Sequence, residues 1–553
     1  MKPIILVADE RDGPLATLRD AVSSRYGHAY DVVTASGTSK AFQVLARLAA
    51  EGRTVAIAFA YFRPGGIDGI ELLGSARQHH AGVVRLLTID VGDRAAESSI
   101  ARALTLNHID FYLGMPWASP EEELYPVLAE AVRAWARAHL PRYEKAKIIG
   151  DPASAIVRSL TRRAELMNAA YGVHSPDSPE GGALIRAHGL RPDDVPVAVL
   201  YDGRVVHDPS PLRVALALGA PTLPDGSPTH DVAVVGAGPA GLAAGMYAAS
   251  EGLGVLLLES ATPGGQAGSS SMIRNYLGFP WGVAGADLAD RGMRQAAHFG
   301  ARFAVAPAAR SLRSEGDERV IGLEDGREVR ARTVVLATGV SYRRLEAPGV
   351  ELLVGKGVFY GAGTAEARAM GDARVCVVGA GNSAGQLAAV LLQAGARVTL
   401  LVRGDSLAKS MSAYLIAELE AEGRFAVLTN SVVAEVLGES HVEGVTIRDR
   451  ATGEIQKLAT DALFVMIGAD PHTEWLGSVA RDGRGFVLTG PDLLDEGRLP
   501  PGWPHARPPL MLETSMPGVF AAGDIRHGSI KRVAGAAGEG AASVLLIRQY
   551  LGR

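Results

Sequence analysis

One stretch limits what this chain can fold into more than any other: residues 231–259, DVAVVGAGPAGLAAGMYAASEGLGVLLLE. An apolar run over 232–235 is followed by Gly236, Gly238 and Gly241. An alanine-rich helical stretch comes next, then a second apolar run over 255–258 that ends on Glu259. The spacing predicts the strand, turn, helix and strand of a Rossmann-type βαβ unit. Gly236 permits the tight turn, Gly238 lets a pyrophosphate approach the backbone, and Gly241 lets the helix lie close on the strand. Pro239 and Ala240 open the helix, whose unpaired N–H groups favour phosphate. Glu259 stands where a carboxylate accepts hydrogen bonds from a ribose. A glycine-rich turn that binds nothing is the plain alternative. It leaves the coincidence of strand, turn, helix and acid at these spacings without a reason.

A second copy runs over residues 375–404, VCVVGAGNSAGQLAAVLLQAGARVTLLVRG. Gly379 and Gly381 hold the first two positions, Asn382 and Ser383 follow, and Ala384 takes the third. The strand over 398–401 ends without an acid and runs into Arg403, a change that suits a 2′-phosphate better than a free 2′-hydroxyl. Arg403 could also be a solvated surface arginine. The first site therefore reads as FAD or NAD and the second as NADP(H). Two such sites of opposite ribose preference imply a hydride passing from nicotinamide to flavin.

The 553 residues allow roughly three to four domains. With 47% hydrophobic and 21% charged residues, the composition is that of an ordinary globular protein. Lys+Arg is 55 against Asp+Glu 60, so no basic excess points to nucleic acid. The start, MKPIILVADERD, reaches charge too soon for a signal peptide, and the longer apolar stretches are too broken by glycine for a membrane span. Cys376 is the single cysteine, which rules out an intrachain disulfide and a CxxC pair within this sequence. No metal site is expected, and the expected compartment is the cytoplasm.

The expected fold class is α/β throughout. Residues 1–140 alternate apolar strands (IILVA, VAIAFAY, VVRLLTI, IDFYLGMPW) with helical segments over 37–51 and 68–79, as in a flavodoxin-like parallel sheet. They resemble a response-regulator receiver domain, with Asp9 and Glu10 as the acidic strand end and RPGGIDGIELL as the following loop. Thr88 matches the switch threonine and LGMPW the lysine–proline turn. Ala60 stands where that family has its phosphoacceptor aspartate, and Met115 where it has its lysine. Without a carboxylate no acyl phosphate forms, so a pseudo-receiver serving as scaffold or dimerisation module is expected. Residues 141–224 offer a short strand (KAKIIG), a helix-like stretch over 154–172, and a hairpin with a Asp202-Gly203 turn. They resemble a thioredoxin- or glutaredoxin-like fold. Pro196 sits at the cis-proline position, and Pro152, Ala153, Ser154 and Ala155 replace the CxxC. A spacer or docking surface is expected there.

From residue 231 onward the chain resembles the low-molecular-weight thioredoxin reductases, and more narrowly those with a receiver-type domain fused in front. GGQAGSSSMIRNYLGFP, from Gly264 and Gly265, resembles the family's flavin loop. The resemblance places Gln266 and Asn275 against the isoalloxazine ring. Thr338 and Gly339 close the first part of the FAD domain. Gly523 and Asp524 belong to the second FAD motif, with Asp524 on the flavin's sugar alcohol chain and Lys531, Arg532 and Val533 along the ring edge. Gly468, Pro471 and Thr473 mark the return from an inserted NAD(P)H domain. The resemblance implies two Rossmann-like three-layer domains: FAD-binding 225–345 and 476–553, split by NAD(P)H-binding 346–475. It also implies a homodimer. Two departures matter. The segment before the second turn, GVFYGAGTAEARAMGDARV, lacks the family's disulfide pair, and Cys376 falls within an apolar strand as a core thiol. Gly404 and Ala408 replace two further arginines of the family's NADP site, with Lys409 beside them.

Two functions stay open at this level. In the first, NADPH reduces FAD and the flavin passes electrons directly to a small-molecule or redox-protein acceptor: a ferredoxin or flavodoxin, a quinone, oxygen or a small electrophile. Relatives that lack the cysteine pair are found among the ferredoxin–NADP reductases. No catalytic side chain is demanded by hydride transfer between cofactors. His527 could protonate an acceptor or be a surface histidine. In the second, three modules without their reactive residues form a cofactor-bound sensor or scaffold.

Overall fold

The computed structural model describes residues 2–553 apart from 64–68, 140–143, 167–169, 224–227, 261, 271–272, 274, 361–365 and 368. The chain divides into two units, one formed by residues 142–343 with 469–553, the other by 1–141 with 344–468.

In the first unit the strand His230–Val235 lies between Val255–Glu259 and Glu328–Leu336, parallel to both. Arg302–Val305 extends the sheet beyond Val255–Glu259, and Val519–Ala521 pairs parallel with Glu328–Leu336. Both faces of His230–Val235 and Val255–Glu259 are covered, which is why Val232–Val235 and Val255–Leu258 read as unbroken apolar runs. The helices Pro239–Ser250 and Val533–Leu551 share one core with Val232, Val234, Leu257 and Phe520. An antiparallel meander, Ala309–Glu315, Glu318–Leu323 and Glu328–Leu336, completes the sheet.

Ahead of it stands a mixed sheet centred on Ala146–Ile149. Tyr171–His174 pairs with that strand in parallel and Val197–Leu200 antiparallel, with Val205–His207 outermost. The Val195–Pro196 peptide is cis. Of the helix-like stretch read over 154–172, Ala155–Leu166 is helix, residues 167–169 lie outside the described residues, and Tyr171–His174 is a strand. Pairing with Ala146–Ile149 decides that last part, a preference set by the sheet. The chain then runs to Thr222, which bridges in parallel to Val305 beside Glu259.

In the second unit, among the described residues, five strands run parallel: Val358–Tyr360, Ala462–Val465, Arg374–Val378, Arg397–Leu401 and Phe425–Leu428, in that spatial order. A three-stranded antiparallel sheet, Ser431–Leu437, Gly444–Asp449 and Ile455–Ala459, forms the other layer. Residues 469–475, read from sequence as the end of this insertion, belong to the first unit. There Ala469–Pro471 pairs antiparallel with Val340–Tyr342.

The N-terminal part of the second unit is an all-parallel sheet in the order Asp31–Ser36, Ile4–Asp9, Val55–Tyr61, Val84–Asp90, Phe111–Met115. That order, 2-1-3-4-5, is a doubly wound one. Asp31–Ser36 was not among the strands read from sequence, because an edge strand is half exposed and its composition mixed. Among the described residues, the following contacts join this sheet to residues 344–468. Leu106 is buried in the core that holds Val375 and Leu400, Arg102 pairs with Asp372, and the His108 and His441 rings meet edge-on at 5.2 Å.

Candidate functional sites at two glycine turns

The first turn closes where parallel strands end, the place at which open α/β sheets take ligands. Gly236 has φ +100°, and a Cβ there would lie 2.5 Å from the Ala337 carbonyl oxygen. At Gly241 a Cβ would lie 1.8 Å from the Gly236 oxygen, so the helix touches the turn through glycine alone. Gly238 is open, its nearest neighbour being the Gly265 Cα at 3.9 Å from an added Cβ. The Gly264 N–H donates to the Ala237 oxygen at 2.7 Å, which folds the loop carrying Gly264 and Gly265 over the turn. Glu259 Oε2 accepts from the Ala237 N–H at 2.7 Å, so the turn itself orients the carboxylate. Pro239 starts the helix and Ala240, its second residue, is buried. The open cradle and the oriented acid fit the pyrophosphate and ribose of a dinucleotide. Gln266, in the short helix Gly265–Gly268, and Asn275 are both exposed on the flanking segment, of which residues 271, 272 and 274 lie outside the described residues.

The second half of this site follows the strand Val519–Ala521. The Gly523 N–H donates to Glu539 Oε2 at 2.7 Å, and Glu539 is paired with Arg526 at 2.5 Å. Burial pushes the Asp524 carboxyl upward, with Lys531 opposing and Glu539 adding. Lys531 Nζ donates to the Asp524 carbonyl oxygen at 3.1 Å and lies 4.4 Å over the Phe486 ring. Burial lowers the pKa of that ammonium. Arg532 caps, and Val533 begins, the helix Val533–Leu551. The Thr338 hydroxyl donates to the His472 oxygen at 2.9 Å, and the Gly339 oxygen accepts from the His472 N–H at 3.1 Å. Glu539 and Tyr342 were not singled out from sequence. The Tyr342 phenol is pushed up to about 12 by burial and by Asp524 beside it. Glu539 did leave a signal, as the one charged side chain in VAGAAGEGAASVLLI. His527 is half-exposed, with Nδ1 2.8 Å from Asp482 Oδ2.

The second turn repeats the geometry with different chemistry. Gly379 has φ +147°, and a Cβ there would meet the Met466 oxygen at 2.6 Å. Gly381 is open, and Ala384 is fully buried in the helix Asn382–Gln393. Asn382 Oδ1 accepts from the Ser412 N–H at 2.8 Å and the Ser412 hydroxyl at 3.1 Å, which ties the loop after Lys409 to the turn. Ser383 is exposed beside it. Arg403 is exposed, and its guanidinium has no acid partner among the described residues. Lys409 is committed elsewhere: its ammonium pairs with Asp405 at 2.7 Å. The unpaired cation and open turn fit a phosphorylated ribose.

Cys376 lies in Arg374–Val378 at 1% exposure, and burial pushes its thiol up to about 11, with a hydrogen bond to Thr460 opposing. Of the cysteine-free segment upstream, residues 361–365 lie outside the described residues.

At the N-terminal sheet, Ala60 is buried and its oxygen accepts from the Thr88 hydroxyl at 3.3 Å. Arg11, which sequence reading passed over, fills the acidic end. It pairs with Asp9 at 2.9 Å and Asp90 at 2.6 Å, and lies 3.5 Å over the Tyr61 ring. Glu10 pairs with Arg63 at 3.0 Å. The loop over 64–68 lies outside the described residues.

Among known proteins, the family model described as pyridine nucleotide-disulphide oxidoreductase matches residues 230–540. A thioredoxin reductase of Streptomyces clavuligerus is 34% identical over 326 residues, 59% of this chain and 95% of that protein. One from Mycolicibacterium smegmatis is 33% identical, over 58% of this chain and 96% of its own. The solved thioredoxin reductase of Streptococcus pyogenes MGAS5005 superposes with a TM-score of 0.51 at 29% identity, covering 59% of this chain and 98% of that one. That of Giardia duodenalis gives 0.52 at 26%, over 59% and 100%. The matched stretch contains both glycine turns and no described helix is long and apolar enough to cross a membrane. The chain thus belongs to the pyridine nucleotide-disulphide oxidoreductases, in their thioredoxin reductase-like branch, whose enzymes use FAD and NADPH.

Proposed function

We propose that this enzyme takes reducing equivalents from NADPH and delivers them from its flavin site directly to an acceptor, with no protein disulfide of its own as relay. The observation that carries this is Cys376: one thiol, buried in a core strand and held as thiol by a pKa pushed up to about 11. A relay needs an accessible thiolate and a resolving sulfur, and the sequence holds no second cysteine.

Bound FAD and NADPH would supply the hydride chemistry. In this reading Gly236, Gly238, Pro239, Ala240 and Gly241 hold the FAD pyrophosphate and Glu259 its ribose. Asp524 takes the sugar alcohol chain, while Gln266, Asn275, Thr338, Gly339, Lys531, Arg532 and Val533 border the ring. Gly379, Gly381, Asn382, Ser383 and Ala384 hold the NADPH pyrophosphate, and Arg403 its 2′-phosphate. The acceptor class comprises ferredoxin or flavodoxin, quinones, oxygen and small electrophiles. Residues 1–140 are read as a pseudo-receiver and 141–224 as a degenerate thioredoxin-like module, both docking or scaffolding parts of a cytoplasmic homodimer. The strand order 2-1-3-4-5, alanine at 60 and Arg11 in the acidic pocket support the first of these.

The test is anaerobic addition of NADPH to wild type and Cys376→Ser, followed by an artificial acceptor or thioredoxin. Rapid flavin bleaching and acceptor reduction are expected in both, and thioredoxin reduction in neither. Bound flavin that NADPH leaves oxidised would favour a sensor without turnover. Thioredoxin turnover that disappears in Cys376→Ser would overturn the direct route.

A further inference from the structure

We infer that Arg450 is a second specificity-determining residue for the 2′-phosphate, brought from the antiparallel sheet to the position where the strand-end segment has only Gly404. The inference rests on the reading of Arg403 as the first such residue.

The segment after Arg397–Leu401 runs Val402, Arg403, Gly404, Asp405. Gly404 has no side chain to offer, and Lys409 is held by Asp405. Arg450 follows the strand Gly444–Asp449, 47 residues downstream of Arg403. Three backbone hydrogen bonds staple it to the strand end. The Ser431 N–H donates to the Val402 oxygen at 2.9 Å, the Asn430 N–H to the Gly404 oxygen at 2.7 Å, and the Arg450 N–H to the Asn430 oxygen at 2.7 Å. The side chain then turns back, and Arg450 Nη1 donates to the Arg403 carbonyl oxygen at 3.1 Å.

Arg403 and Arg450 thus meet at the Arg403 carbonyl. The acids adjacent to them in sequence are already engaged. Asp449 accepts from the Ala451 and Thr452 N–H groups at 2.7 and 2.9 Å, and Asp405 is paired with Lys409. Neither Arg403 nor Arg450 has an acid partner among the described residues. Arg450 is anchored on the backbone of the residue that carries the first cation, so a dianionic phosphate bound at this strand end can draw on both side chains. One of Arg450's five donors is used on the carbonyl, which fixes the guanidinium plane and leaves the others for phosphate oxygens. The group recognised is a phosphate monoester on the ribose of a nucleotide bound at the Gly379 turn.

The test is calorimetric binding of 2′,5′-ADP and 5′-AMP to the full chain, which needs no turnover. Wild type is expected to prefer 2′,5′-ADP, and Arg450→Ala to weaken 2′,5′-ADP by about tenfold, the scale of one exposed charge-assisted hydrogen bond. Binding of 5′-AMP is expected to be unchanged. The salt dependence of 2′,5′-ADP binding should also fall in Arg450→Ala, as it should in Arg403→Ala. Arg450→Lys, which keeps charge without the fork, should recover only part of the loss. If Arg403→Ala loses the preference while Arg450→Ala binds as wild type, Arg450 has no such role and the Arg403 reading stands. Equal weakening of both nucleotides in Arg450→Ala would make it a structural staple and overturn the inference. A wild type with no preference for 2′,5′-ADP would overturn both.

Discussion

The two glycine turns of this chain are built alike, and two of their differences matter most. Where the first has Gly241 the second has Ala384, and where the first has Glu259 the second has Arg403. The first difference is one of distance. At the first turn the helix is pressed so close that a Cβ at 241 would stand 1.8 Å from the Gly236 oxygen, whereas Ala384 is accommodated fully buried. The second difference is one of charge. Glu259 is turned inward by the Ala237 N–H, while Arg403 is exposed and has no acid partner among the described residues. The third glycine is therefore required by how closely the helix packs on the turn, and the residue at the end of the second strand is free to change sign while the turn is kept.

The contrast breaks first at the glycines. Gly241→Ala should cost about 3 kcal/mol, the upper range for overpacking, since its new methyl meets backbone and not a flexible side chain. The reciprocal Ala384→Gly should cost about 1 kcal/mol, the loss of helix propensity. Thermal unfolding with flavin content as a second readout checks this, and similar losses in the two variants would mean that the turns are alike.

Acid sharpens the contrast between the units. Burial, with His441, Arg85 and Arg102 adding and Asp461 opposing, pushes the His108 imidazole down to about 4. A lowered pKa in the folded state means that the unfolded chain takes the proton first. The stabilisation is full above the ordinary histidine value of about 6.5 and is lost as pH falls through the folded one, on the order of 3 kcal/mol for the unit of the second turn. His108→Gln should flatten the pH dependence of unfolding in that window. An unchanged slope would show that His108 titrates freely.

At the ribose positions, Arg403→Ala should weaken NADPH by roughly 1–3 kcal/mol and leave NADH nearly unaffected. Equal losses for the two cofactors, measured as dissociation constants, would remove the charge argument. The smallest effect belongs to Lys409. An exposed lysine already paired with an aspartate four residues away contributes little, so Lys409→Ala should change NADPH binding by less than about 0.5 kcal/mol. A loss as large as that of Arg403→Ala would show that the Asp405 pair opens for the nucleotide.

Both turns were legible in the sequence because their requirements are local. Positive φ, the room for a Cβ and the first turn of a helix are properties of a few consecutive residues, so Gly236 and Gly379 announce themselves. Cys376 announced its burial in the same way, from the apolar strand around it. Glu259 and Arg403 were legible because a βαβ unit sets their distance along the chain. The strand Asp31–Ser36 was not, because an edge strand needs no apolar pattern, and the end of the helix Ala155–Leu166 was overrun because a neighbouring strand claims Tyr171–His174.

What the sequence determined by itself is the pair of glycine turns, the residues that end their second strands, and the lack of a second cysteine. Only the tertiary structure decided which charges are free. Arg11 closes on Asp9 and Asp90, the latter 79 residues away, Gly523 leans on Glu539, Lys409 is spent on Asp405, and Arg450 arrives at Arg403 from another sheet. A side chain's partners are set by which distant strands and turns pack beside it, and charge is screened or satisfied only by what lies within a few ångströms. Neither is a property of any stretch of sequence read alone.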